Sequence, residues 1–183
     1  MLFRSLHHAP CSVRVVPKGP LTGGPIHLLA ATDGSAGGRA AVEAVAARSW
    51  PAGTSVTVLG VVETLVPPSP VLIPGLETRT FAEEPAFQRI WESDEHERAR
   101  MRNVVEEAAT RLERAGLKAT PLVVDGAPRT DIVAQAEKSK VDAIFLGARG
   151  LGALDRLLLG SVSTAVVSHA PCSVEVVRPS GEA

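Results

Sequence analysis

The chain has 183 residues, 45% of them hydrophobic and 21% charged, with a formal net charge of −1. That length suits one compact domain with an appendage, and the charge balance excludes a general nucleic-acid surface, which needs a basic excess. With 3% aromatics and no Tyr, the core falls to Ala, Val, Leu and Ile, and no apolar run approaches the roughly 20 residues a membrane span needs.

The opening MLFRSLHHAP has no continuous apolar stretch and makes a poor signal peptide. Cys11 and Cys172 are too few for a disulfide framework or a zinc site. They read as two half-buried thiols at strand starts, so a cytoplasmic protein is expected. Next comes a repeat. His8–Val16 reads HAPCSVRVV and His169–Val177 reads HAPCSVEVV, identical but for Arg14 against Glu175. Residues 18–25, KGPLTGGP, are a Gly- and Pro-rich linker.

Beyond the linker the pattern turns regular. Ile26–Thr32 is a nearly continuous apolar run, the mark of a strand covered on both faces. Asp33-Gly34-Ser35 breaks it. Ala36–Trp50 reads as a helix that Pro51 stops, and Ser55–Val62 as a second strand. Residues 63–85 carry five prolines and read as a long surface loop, mobile or functional. A helix is predicted from Ala86 to Ala115. Its apolar stripe is Phe87, Ile90, Trp91, Met101, Val104, Val105, Ala108 and Leu112. Asp94/Arg98 and Glu107/Arg111 are its i,i+4 ion pairs, and Gly116 sits at the C-cap. Lys118–Val124 is a third strand, placed at a sheet edge by Pro121, which cannot donate to a ladder. A helix over Thr130–Lys138, a strand over Val141–Gly147, a helix around Leu154–His169 and a strand over Ser173–Val177 complete the chain.

Alternating strands and helices imply a parallel sheet with helices on both faces. Such sheets bind ligands beyond the carboxyl ends of their strands, at the switch point. Those ends are Asp33–Ser35, Val61–Glu63, Gly126-Ala127 and Gly147–Gly150. The stretch Gly147–Ser161 reads GARGLGALDRLLLGS. Glycines at a strand-to-helix turn let backbone N–H groups approach an anion, and a helix beginning near Leu154 adds its dipole. The hydroxyls of Ser161 and Ser163 are within reach of a phosphate chain. Arg149 and Arg156 are candidates to balance its charge. As glycines alone, the same residues also fit a tight turn with close helix packing. Asp33 is equally at home as a helix-capping or turn residue. His169 has no carboxylate partner in sequence and reads as structural. No Walker lysine motif and no G-x-G-x-x-G after the first strand occur.

The spacing G-x2-G-x9-G-S after a fourth parallel strand resembles the nucleotide-binding signature of the universal stress protein family. The run GARGLGALDRLLLGSVSTAVVSHAPCSVEVV is similar to that family's C-terminal third, and IHLLAATDGS and SVTVLGVVE resemble its first two strands. The resemblance covers about residues 26–178. It implies a flavodoxin-like, Rossmann-like α/β domain over 26–183, with an open five-stranded parallel sheet of order 3-2-1-4-5. Residues 1–25 then form an extra strand and linker resembling the end of an upstream repeat. In the ATP-binding branch of the family, the nucleotide-contacting positions correspond to Asp33, Val61, Gly147, Gly150, Gly160, Ser161 and Val162. The ligand implied is ATP, with or without Mg2+, and no nucleic acid or membrane partner.

The function expected is that of a stress-response regulatory module that holds ATP without fast turnover, since no general base or arginine finger is evident. A slow ATPase or autophosphorylating protein with Ser161 or Ser163 as acceptor is the alternative, and a ligand-free dimerisation module a third. The resemblance implies a homodimer, either through the fifth-strand edge or by exchange of the N-terminal strand. Within one chain, Ser12–Val16 could itself pair antiparallel with Ser173–Val177. The span from that edge to the first strand is about 14 Å at ~4.8 Å per strand, and the linker extends to about 26 Å. Arg14 and Glu175 would then form an opposite-charge pair.

Overall fold

The computed structural model describes residues 9, 11–17, 24–63, 85–150 and 159–179, with backbone alone for 85–91. Its elements are β1 (Val13–Val15), β2 (His27–Ala31), α1 (Ala36–Ala46), β3 (Ser55–Val62), α2 (Pro85–Arg114), β4 (Lys118–Asp125), α3 (Pro128–Ser139), β5 (Ala143–Gly147), α4 (Ser161–His169) and β6 (Ser173–Val177). They form one sheet in the order β1-β6-β5-β2-β3-β4. All neighbours run parallel except β1, which is antiparallel to β6. Leaving β1 aside, the order is the 3-2-1-4-5 implied by the resemblance.

The continuous apolar runs become central strands because successive residues feed opposite layers. Leu28, Ala30, Val56, Val58 and Phe145 pack under α1 and α2 with Val42, Val45, Met101, Val105 and Leu112. Leu29, Ala31, Leu59, Ile144 and Leu146 pack on the other face with Ile132, Ala136 and Val166. Covered on both faces, such strands need no polar alternation. Pro121 lies on the outermost strand, opposite Val58 of β3. The α2 helix ends as its sequence predicts. Gly116 takes φ +83, and the Leu117 N–H closes back on Leu112 O at 3.1 Å, which is left-handed C-terminal capping.

Several expectations need correction. The first helix stops at Ala46, not Trp50: the Trp50 indole turns back to donate to Val45 O at 2.8 Å and meets Phe145 edge-on at 5.9 Å. Of the helix expected around Leu154–His169, residues 154–158 lie outside the described residues; α4 runs from Ser161, because Gly160 is extended (φ −64, ψ 155) and donates its N–H to Ala148 O. Arg98 pairs with Asp125 of β4 and with Glu95, and Arg111 with Glu43 of α1, in place of Asp94 and Glu107. Asp94 is buried rather than solvated. Cys172 is half-buried, and that burial, with Asp142 nearby, pushes its thiol up to about 11. Cys11, also expected half-buried, is exposed. The expected mobile loop 64–85, all but its last residue, lies outside the described residues, as do Arg156, the side chains of Phe87, Ile90 and Trp91, and linker residues 18–23.

β1 covers the outer edge of β6 in the register Val13↔Val176, Arg14↔Glu175, Val15↔Val174. The opposite-charge pair expected from the repeat forms: Arg14 Nε donates to Glu175 Oε2 at 2.7 Å. Arg48, just past α1, donates to both oxygens of the same carboxylate. Both guanidiniums lie over the Phe145 ring, at 5.5 and 5.3 Å from its centroid, a favourable cation–π placement.

Candidate functional site

Parallel strands end together, and here their carboxyl ends open into a cleft of about 660 Å3. The cleft sits where the connections from β2 and β5 diverge to opposite faces of the sheet, the switch point. Apart from Arg156, which lies outside the described residues, the candidates from the sequence line it: Asp33, Val61, Gly147, Arg149, Gly150, Gly160, Ser161, Val162 and Ser163.

Each wall has a local cause. After β2 the chain turns sharply: Gly34 takes φ +79, and the Ser35 N–H donates to Asp33 Oδ1 at 2.9 Å. Ser35, not Asp33, is the N-cap of α1, its hydroxyl accepting from Gly38 N. Asp33 is thereby fixed in a turn with its carboxylate toward the Gly150 segment. A Cβ on Gly150 would lie 2.5 Å from Asp33 Oδ2. At Gly147 a Cβ would meet Gly37 backbone at 2.5–2.8 Å. The missing side chain at 147 therefore serves helix–strand packing, one of the two readings open from the sequence.

The fourth wall is the first turn of α4. Gly160 caps it without a side-chain hydrogen bond, and the leading N–H groups of a helix have no partner inside it. Ser161, Val162 and Ser163 occupy that turn, whose dipole favours an anion. The two serines differ. Ser161 is exposed. Ser163 is 3% exposed and donates its hydroxyl to Gly147 O at 2.7 Å, so its proton ties α4 to β5.

Side chains that the sequence reading did not single out complete the cleft. Glu97, Arg100 and Met101 reach in from α2, Pro128, Arg129 and Ile132 from α3, and Glu63 from the end of β3. Arg100 grips Glu97 with two nitrogens, at 2.9 and 2.5 Å, and reaches Asp33 O at 3.3 Å. Hydrogen bonding by Arg100 holds the Glu97 carboxyl below the usual carboxylate range, and the same pairing holds the guanidinium above its ordinary value. Glu63 does lie in a strand-end segment marked from the sequence. Nothing marked Arg100 among the many charges of α2.

Chemically the cleft has three parts. The α4 turn suits an anion, and Arg149 and Arg129 line the same cleft. The carboxylates of Asp33, Glu63 and Glu97 suit hydroxyl donors. Ala31, Leu59, Val61, Met101, Ile132 and Leu146 give an apolar floor, of the kind that takes a flat ring. Among the described residues no group of three or more His, Cys, Asp or Glu is placed to hold a metal ion, and none of their helices is long and apolar enough to cross a membrane.

Comparison with known proteins bears on the family and the fold. A family model described as the universal stress protein family matches residues 27–178. Universal stress protein MJ0531 of Methanocaldococcus jannaschii is 43% identical over 63 residues, 34% of this chain and 37% of that relative, so the chain spans well under two thirds of its length. Among solved structures, universal stress protein UspA from Lactobacillus plantarum superposes with a TM-score of 0.66 at 23% identity, covering 86% of this chain and 100% of that one. An Arabidopsis thaliana family member with AMP bound gives 0.56 at 17%, covering 86% and 94%. A universal stress protein in complex with cAMP gives 0.54 at 22%, covering 86% and 100%.

Proposed function

Because the chain belongs to the universal stress protein family, we propose that it is a cytoplasmic regulatory module of a stress response that holds ATP at this cleft without fast turnover. Residues 26–183 are the nucleotide-binding unit in this reading, with residues 1–25 an appended strand and linker. The observation that carries the proposal is the convergence of the α4 first turn, the Gly147–Gly150 turn and Asp33 around one apolar-floored cleft. Relatives of the same fold with AMP or cAMP bound support an adenine nucleotide as the ligand class. Ser161, Val162, Gly160, Arg149 and Gly150 take the phosphates, with Mg2+ where the phosphates carry it. Asp33, repelled by phosphate, faces the ribose hydroxyls, and Val61 and Gly147 border the base and sugar. A homodimer, in this reading, forms by exchange of residues 13–15, since the edge of β6 already carries that strand.

Calorimetry is expected to give an ATP dissociation constant in the micromolar range. Ser161→Asp is the informative variant, because it places a carboxylate at the first helical position. A charge there stabilises the helix by about 0.3–1 kcal/mol, so a loss of affinity cannot come from unfolding. ATP affinity is expected to fall at least tenfold with an unchanged or higher melting temperature, and adenosine affinity to stay level. Unchanged ATP affinity in Ser161→Asp would place the phosphates elsewhere. The exposure of Ser161 beside the buried, hydrogen-bonded Ser163 also sharpens the alternative of a slow ATPase or autophosphorylating protein. Label from radioactive ATP would then be lost in Ser161→Ala and kept in Ser163→Ala.

A further inference from the structure

The pairing of β1 with β6 has the form of a local two-fold axis. In the repeat, Val13, Arg14 and Val15 align with Val174, Glu175 and Val176. In the sheet, Val13 lies opposite Val176, Val15 opposite Val174, and Arg14 opposite Glu175. A second copy's β6, offered to this edge in the same register, would satisfy the valines equally well. The only change would fall on the axis, where Glu175 would face Glu175.

That position tolerates little. Glu175 is 4% exposed and Phe145 beside it 0%, so water screens the site poorly. Arg48 already commits two nitrogens to the carboxylate. The remaining capacity of Glu175 Oε2 is filled from across the strand by Arg14 Nε and Nη2, each at 2.7 Å. With a second Glu175 in place of Arg14, acceptor would meet acceptor. Directly opposed like charges destabilise a strand pair, while opposed unlike charges favour it.

We propose that the outer edge of β6 is a strand-docking surface keyed by charge: it accepts an extended Val-Arg-Val segment that sets a guanidinium opposite Glu175, and it excludes the β6 of a second copy. Residues 13–15 are that segment. The key is independent of the nucleotide cleft.

The test uses full-length chains. In Arg14→Glu, the outward-facing amides of β6 are expected to lose protection in hydrogen exchange by more than tenfold, while light scattering gives the mass of one chain. The peptide APCSVRVVP restores protection in trans, and its counterpart with Glu for Arg does not. In Arg14→Glu with Glu175→Gln the repulsion is gone, and β6 is expected to be protected again, by its own β1 or by a second copy at doubled mass. A doubled mass with protected β6 in Arg14→Glu alone overturns the proposal. So does full protection of β6 in monomeric Arg14→Glu, equal binding of the two peptides, or a double variant whose β6 stays unprotected. Should Arg14→Glu fail to fold, the two peptides are compared on Arg14→Ala, where equal binding overturns the proposal.

Discussion

Gly147→Val is expected to lower the melting temperature by roughly 6–12 °C. The new Cβ would stand 2.5 Å from Gly37 C and 2.7 Å from Gly37 O. Those are backbone atoms, and no side-chain rotation relieves the overlap. Overpacking of this kind costs about 3 kcal/mol, and a chain of this size loses about 2–4 °C per kcal/mol. Gly60 is the contrast. A Cβ there meets Met101 Cγ and Sδ, both at 2.5 Å, but these atoms belong to a flexible side chain rather than to backbone, so Gly60→Ala should cost less. Thermal unfolding followed by circular dichroism decides, and a shift under 2 °C in Gly147→Val would sink the packing account. Lost nucleotide affinity in Gly147→Val would by itself say nothing about phosphate contact.

The second large effect is expected from removing both arginines around Glu175. Arg14→Ala with Arg48→Ala takes both donors from a carboxylate that is 4% exposed beneath them; because the two arginines are themselves about two-fifths exposed and their removal admits water, the cost is expected at about 1–3 kcal/mol, the range for a polar group left without its partner. Each single variant is expected to cost less, because the other guanidinium still donates. Adding Glu175→Leu should recover most of the loss. The pH dependence has a definite sign. Burial alone would raise the Glu175 pKa, but the hydrogen bonds from Arg48 and Arg14 outweigh it and hold the carboxyl below its ordinary range. The stabilisation is therefore complete above the unfolded-state value of about 4.3 and is lost as pH falls through the lower folded value. In the double variant burial acts unopposed. Its penalty is full at neutral pH and relieved as Glu175 protonates. Calorimetric melting at pH 7 and pH 4 should show the gap between wild type and double variant narrowing. An equal gap at both would mean that Glu175 is not the source.

Where the sequence was read well, one physical cause acted alone. Unbroken apolar runs became two-face-buried strands, Pro121 fell on an edge, Gly116 took a left-handed cap, and the single mismatch of the repeat became an ion pair. Where it was read less well, a tertiary partner competed. Trp50 left its helix for Val45 O and Phe145. Arg98 found Asp125 on β4 besides Glu95 on its own helix, and Arg111 found Glu43 on α1, in place of the carboxylates four residues back. The candidate site was legible where backbone geometry demanded glycine. Arg100 and Arg129 were not, because a surface arginine on an amphipathic helix looks the same whether it faces solvent or a cleft.

The two margins of the sheet are closed by unlike means, and this sets how the molecule fails. At β4 the outermost strand carries Pro121, a residue that blunts edge-to-edge growth. At β6 the closure is a borrowed strand of three registered pairs. Short outer segments open locally at a fraction of the cost of global unfolding. Sheet growth into aggregates should therefore start at β6, from a native-like state with β1 lifted, rather than from the unfolded chain. Acid removes the charge that holds β1 down and the charge that keeps β6 strands apart in one protonation. Aggregation should accelerate as pH falls through the lowered Glu175 value.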